Sequence, residues 1–214
     1  YKGTGTLVVP KDSTDICGND VALIMLEGAG IPASVTKPII PRIDSRPEAP
    51  EKYAAVGYGL TDPNNQDSSG TRMRRDGLEV DCVGNDCSGF SSVQFSEWQG
   101  GPGTCPGDSG GPALDDKGRV MGVLSRGPQG CGNAVYGDVS QWKDMIIAAA
   151  LDAAAQGGYE APFWAKTGVS WPPPEEPDAG GDGGALDPQG QACAADKPCP
   201  GGYACYSATG GGAG

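Results

Sequence analysis

Histidine is absent from all 214 residues. That omission removes imidazole metal sites and imidazole acid–base relays from what these side chains can do by themselves. Basic residues are also scarce. Fifteen lysines and arginines stand against 27 aspartates and glutamates, giving a formal charge of −12 and a pI near 4.3. Nucleic acids and anionic membrane surfaces need a basic face, so neither is an expected partner. Long apolar runs are missing as well. The best stretch, Met145 to Ala155, is interrupted by Asp152 and falls short of the ~18 residues that a membrane span requires.

Glycine and proline, by contrast, are abundant at 37 and 19 residues, and they crowd toward the C-terminus. Residues 1–156 read as a folded, turn-rich domain whose edge extends to 171 if Trp164 and Trp171 pack back on it. Pro172-Pro173-Pro174-Glu175-Glu176-Pro177 opens a stiff, acidic linker over 172–191. Residues 192–214 form a partial tail with Cys193, Cys199 and Cys205 at an even step of six. Eight cysteines in such a chain point to disulfides and an oxidising, extracellular compartment. Zinc is not expected, because Cys82 and Cys87 have no second pair or histidine to complete a tetrahedron. No metal or other cofactor is expected.

Short β-like runs at Thr6–Val9, Val21–Leu26, Tyr53–Tyr58, Leu78–Val83, Ser92–Phe95, Pro112–Leu114, Val120–Leu124 and Ala134–Val139 predict an antiparallel sandwich or barrel. Asp62–Gly70 and Trp98–Gly103 read as loops from their composition. One helix is predicted over Ser140 to Ala155, where Trp142, Met145, Ile146, Ala149 and Ala153 share a face. Ser140 is its expected N-cap and Gly157-Gly158 its stop.

The sharpest chemical signal is Cys105-Pro106-Gly107-Asp108-Ser109-Gly110-Gly111-Pro112. A serine nucleophile in acyl transfer needs a base for its proton and N–H donors aimed at the developing oxyanion. Glycines beside Ser109 allow the tight turn that points the Gly107 and Ser109 amides to one spot. A lone Gly-Asp-Ser-Gly would be read as an ordinary turn. The full Gly-Asp-Ser-Gly-Gly-Pro hexapeptide, however, resembles the nucleophile segment of the chymotrypsin-like (trypsin-family) serine peptidases. Asn19-Asp20-Val21-Ala22-Leu23-Ile24-Met25-Leu26 resembles that family's aspartate-bearing segment. Gly57-Tyr58-Gly59 resembles its Gly-Trp-Gly turn, and Val120-Met121-Gly122-Val123-Leu124-Ser125 its cleft strand.

The resemblance implies an all-β fold, a double six-stranded antiparallel β-barrel with a C-terminal α-helix. It also implies a Ser-His-Asp acyl-enzyme mechanism on protein or peptide substrates. Asp20 and Ser109 are 89 positions apart, against about 93 in the family's triad. The same template sets the histidine about 45 residues before the aspartate, upstream of Tyr1. The zero-histidine count is then expected of a chain lacking the early strands of the first barrel. The alternative is an inactive homologue serving as a binding module.

By resemblance, Ser109 is the nucleophile, Gly107 and Ser109 carry the oxyanion donors, and Asp20 orients the absent histidine. Asp108 pairs with a new N-terminal amine after zymogen cleavage. Ser125 lies beside Asp20 and offers its backbone to the substrate. Gly103 stands at the pocket base, where an acid would select basic side chains, and Gly127 and Ala134 are pocket walls. Cleavage after apolar or small residues is expected. Arg126 replaces an aromatic cleft wall and is read as solvated, with recognition of acidic substrate groups as the alternative. Cys105 is expected to bond Cys131. Cys82 bonds Cys87, unless Cys17 takes one of them. A third view makes the tail the functional element, since its cysteines resemble short repeats of bacterial surface proteins and would attach the protein to a cell surface.

Overall fold

The computed structural model describes residues 4–11, 15–28, 30–31, 35–88, 93–128 and 130–171. The expected linker and tail, 172–214, lie outside the described residues. Gly5–Val8 (β1) and Leu23–Leu26 (β2) pair antiparallel as a two-stranded sheet, with Gly5 opposite Leu26. The next six strands close a barrel. They are Lys52–Gly57 (β3), Met73–Val83 (β4), Glu97–Pro102 (β5), Pro112–Leu114 (β6), Val120–Arg126 (β7) and Asn133–Asp138 (β8), neighbouring one another in the order β3-β4-β5-β8-β7-β6. One closed barrel of the expected pair is thus present among the described residues; β1 and β2 form a separate two-stranded sheet and no second barrel is seen there.

Register shifts interrupt five of the six pairings around the barrel. Such bulges bend and coil strands, which lets a short sheet meet its own edge. Inside, Tyr53, Ala55, Leu78, Val80, Trp98, Ala113, Met121, Leu124, Ala134 and Tyr136 form the core. Trp98 stacks on Tyr136 at 4.2 Å between ring centroids, and Tyr53 meets both edge-on at 5.0 and 5.5 Å.

Two glycines make room for these rings. A Cβ on Gly100 would stand 2.1 Å from the Tyr53 hydroxyl, and one on Gly122 would stand 2.6 Å from the Trp98 ring. The expected loop at Trp98–Gly103 is thus corrected to a central strand. Its Gly100-Gly101-Pro102 sequence looks like a turn, but Gly100 is small because an aromatic ring lies over it. The strand expected at Ser92–Phe95 is displaced to 97–102 for the same reason, and residues 93–96 lead into it as a turn.

The C-terminal helix forms, starting three residues later than expected. Asp138, fully buried, accepts from the Ser140 amide at 3.0 Å and hydroxyl at 2.7 Å, and pairs with Arg46 Nε at 2.7 Å. Asp138 therefore caps a 3₁₀ turn at Val139–Trp142, and Ser140 is its donor and not the N-cap. Lys143–Gly157 (α1) follows and ends on Gly158 in the left-handed conformation, φ 64°. Phe163–Thr167 (α2) comes next. Ile43, Val139 and Ile146 form a second core joined by Trp142, Ile147 and Trp164. Ser170 ties the end of this body down. Its amide and hydroxyl both donate to the Asp44 carboxylate at 2.8 Å, and its hydroxyl accepts from the Ile43 amide at 2.7 Å. The compact unit consequently runs to Ser170. No described helix is long and apolar enough to cross a membrane.

Gly122→Ala should cost about 1–3 kcal/mol, because the new methyl must displace the Trp98 ring from a filled core. Urea unfolding followed by tryptophan fluorescence measures this; an unchanged midpoint would mean that the ring moves aside freely.

Candidate active site

The segment carrying Ser109 joins β5 to β6, and its shape is set by where the Asp108 side chain goes. That carboxylate accepts from the Gly59 amide at 2.7 Å through Oδ1 and from the Cys105 amide at 2.8 Å through Oδ2. A Cβ on Gly57 would lie 2.0 Å from Asp108 Oδ1, and one on Gly59 would lie 2.7 Å from the Asp108 backbone nitrogen. The Gly57-Tyr58-Gly59 turn is therefore glycine-flanked because Asp108 folds against it. Gly107 and Gly110 take φ of +96° and +79°, the left-handed region that favours glycine.

Backbone bonds hold the rest of the turn. The amides of Asp108, Gly110 and Gly111 donate to the carbonyls of Cys105, Leu124 and Asp108, and the Leu124 amide donates to the Gly111 carbonyl. The Cys105–Cys131 disulfide joins this loop to the segment between β7 and β8. Cys82 and Cys87 form a second disulfide, which excludes the alternative of a Cys17 bond to either; Cys17 is the free thiol among the described residues.

Ser109 stands at the wall of a cavity of about 330 Å³. Thr104, Cys105 and Pro106 line it from the same loop, and Leu124, Ser125, Arg126 and Gly127 line it from β7 and its end. Ala134 and Gly103, the other expected pocket residues, are not part of this lining. Ala134 is buried in the barrel core, and Gly103 lies against Arg75, whose Cδ is 2.6 Å from where a Gly103 Cβ would be.

Asp20, from the loop before β2, reaches this cleft across 105 residues of chain: Ser125 Oγ donates to Asp20 Oδ2 at 2.7 Å. Arg126 is not simply solvated. Its Nη1 and Nη2 donate to the two carboxylate oxygens of Glu97 at 2.6 and 2.7 Å, and Nη1 also donates to Ser125 Oγ at 3.2 Å. Burial opposes the charge on Glu97, but hydrogen bonds from Arg126, Gln94 and Gly18 outweigh it and hold the carboxyl below its usual range. Sequence reasoning missed Glu97. An arginine and a glutamate on strands separated by β8 leave no periodic trace; the one available hint was a charged residue directly before Trp98.

A family model described as Trypsin matches residues 2–146. Granzyme M of Rattus norvegicus is 29% identical over 129 residues, covering 53% of this chain and 47% of that protein. The chain thus spans about half the length of this curated relative. Among solved structures, neuropsin, a serine protease expressed in the limbic system of mouse brain, matches with a TM-score of 0.57 at 22% identity. That match covers 66% of this chain and 68% of the other, and shows that the fold is chymotrypsin-like. With the Ser109 turn, the Asp20–Ser125 contact and a family match across most of the barrel, the chain belongs to the trypsin family of serine proteases.

Proposed function

We propose that the protein is a secreted serine endopeptidase working through an acyl-enzyme, with Ser109 as nucleophile and Asp20 as the acid that orients its base. The observation that carries this reading is the meeting of two distant segments at one cavity. Ser109 and Ser125 line it together, and the Ser125 hydroxyl is hydrogen-bonded to Asp20. These 214 residues hold no histidine, so this reading requires a base for the Ser109 proton that they do not themselves supply.

In that mechanism Ser109 Oγ bonds to the substrate carbonyl carbon while its proton passes to the imidazole. The resulting oxyanion accepts from the Gly107 and Ser109 amides. Collapse breaks the peptide C–N bond, the imidazole returns its proton to the leaving amine, and water then repeats the cycle on the ester. Asp20 holds the imidazole in the tautomer that presents a free nitrogen to Ser109. Asp108, whose carboxylate holds the Gly59 and Cys105 amides, shapes the turn that aims those donors.

Leu124, Pro106 and Gly127 give the cavity apolar and small walls, which favours apolar or small side chains before the scissile bond. No carboxylate lines the cavity among the described residues, so nothing there would select a cationic side chain. The second reading, an inactive homologue that binds without cleaving, is favoured by one observation, the absence of histidine.

A fluorophosphonate probe decides between the two readings. It should label Ser109 in the full-length protein, and neither the Ser109→Ala variant nor the 214-residue chain alone. An unlabelled full-length protein would establish the inactive homologue. Asp20→Asn should lower kcat by about 10⁴-fold, the scale of the same replacement in the family's triad. In steady-state assays, kcat/KM for peptides with Ala, Leu or Phe before the scissile bond should exceed that for Arg by about tenfold or more. Faster cleavage after Arg would refute the pocket assignment.

A further inference from the structure

Glu97 begins β5 with its side chain only 1% exposed, where an unpaired carboxylate would be costly. Four donors meet it. Oε1 accepts from the Gly18 amide at 2.7 Å and from Arg126 Nη1 at 2.6 Å. Oε2 accepts from the Gln94 amide at 2.8 Å and from Arg126 Nη2 at 2.7 Å. These donors belong to three separate segments: the loop before β2, the turn before β5 and the end of β7.

Two paths lead from this carboxylate to Asp20. The first runs along the backbone. Gly18, two residues before Asp20, is held by its amide to Glu97, and its carbonyl accepts from the Ser96 hydroxyl. Its φ is +83°, and a Cβ there would lie 3.0 Å from the Gln94 side chain and 3.2 Å from Ser96 Oγ, so the loop is pressed closely on the turn before β5. The second path runs through side chains. With both terminal nitrogens of the guanidinium donating to Glu97, Nη1 also donates to Ser125 Oγ, 3.2 Å away. A hydroxyl has one hydrogen; since the Ser125 oxygen accepts from Arg126, that hydrogen is committed to Asp20 Oδ2 at 2.7 Å.

We propose that Glu97 is a positioning residue for Asp20, setting its backbone through Gly18 and its carboxylate through Arg126 and Ser125. The catalytic consequence rests on the serine-peptidase reading above. Glu97 does not line the cavity and acts only through these neighbours. The chemistry requires both partners as they are. A glutamine at 97 would turn an NH₂ toward donors, and a lysine at 126 would keep the charge but lose the planar fork that donates to Glu97 and Ser125 together.

The test compares Glu97→Gln and Arg126→Lys with wild type in the full-length protein. Readouts are kcat and KM on a peptide substrate, thermal midpoint, and amide exchange at Gly18. Both variants should lose about tenfold or more in kcat with KM little changed, within the ~10²-fold that a 1 Å misplacement can cost. Gly18 exchange should speed up in Glu97→Gln. Wild-type kcat in both variants, with a lowered midpoint, would overturn the proposal and leave Glu97 a packing residue. A raised KM with unchanged kcat would overturn it in favour of a substrate-contacting wall. If wild type itself shows no peptidase activity, the functional reading fails separately. Faster Gly18 exchange in Glu97→Gln would then still uphold the clamp on Asp20, and unchanged exchange would overturn it.

Discussion

Closing six strands into a barrel leaves an interior in which three aromatic rings meet, and much of the fold follows from fitting them. Trp98, Tyr136 and Tyr53 come from β5, β8 and β3, so no two are adjacent in the chain. Their stacking and edge contacts hold the strands around one centre. Gly100 and Gly122 stand where those rings pass, and the bulges between paired strands supply the curvature. Once β3, β6 and β7 are neighbours, the Gly57-Tyr58-Gly59 turn, the Ser109 loop and Ser125 necessarily share one end of the barrel.

At that end, carboxylates ranging from the exposed Asp20 to the buried Glu97 do most of the positioning. Asp108 turns the Ser109 loop by taking the Gly59 and Cys105 amides. Asp20 is met by the Ser125 hydroxyl, and Glu97 gathers two amides and the Arg126 guanidinium. Asp138 does the same at the start of the C-terminal helix, with Arg46 and Ser140 as donors. At the buried Glu97 and Asp138, a charge that would be unfavourable away from water is balanced by directed N–H and O–H groups. A chain so acidic overall therefore uses part of its negative charge as internal scaffolding and leaves the rest to solvent.

Some of this was legible in the residues. The hexapeptide around Ser109 is contiguous, so its identity survives without knowledge of the fold, and Asp20 was found through the apolar run that follows it. The positions of β3, β6, β7 and β8 followed from apolar and β-branched runs bounded by turn residues. β5 was not legible, because Gly100, Gly101 and Pro102 carry turn chemistry locally while Trp98 and the ring over Gly100 make the segment a strand. Ala134 and Gly103 were assigned to the cavity by position along the chain, although one points into the core and the other packs on Arg75. Ser140 fits a cap by residue type alone. Asp138 holds that role, since its buried carboxylate reaches both the turn and Arg46.

By itself, the sequence determined the glycine-rich turn that carries Ser109, the family to which the chain belongs, the all-β character of the body and the helix that ends in Gly158. These are properties of local residue type and short spacing, which covalent neighbours express in any context. Tertiary structure alone decided that Asp20 would meet Ser125, that Arg126 would be gripped by Glu97, and which small residues would face the cavity. Each of those contacts joins segments 29 to 105 residues apart. Barrel closure brings them together, and no pattern along the chain records which partner a side chain will find across a closed sheet.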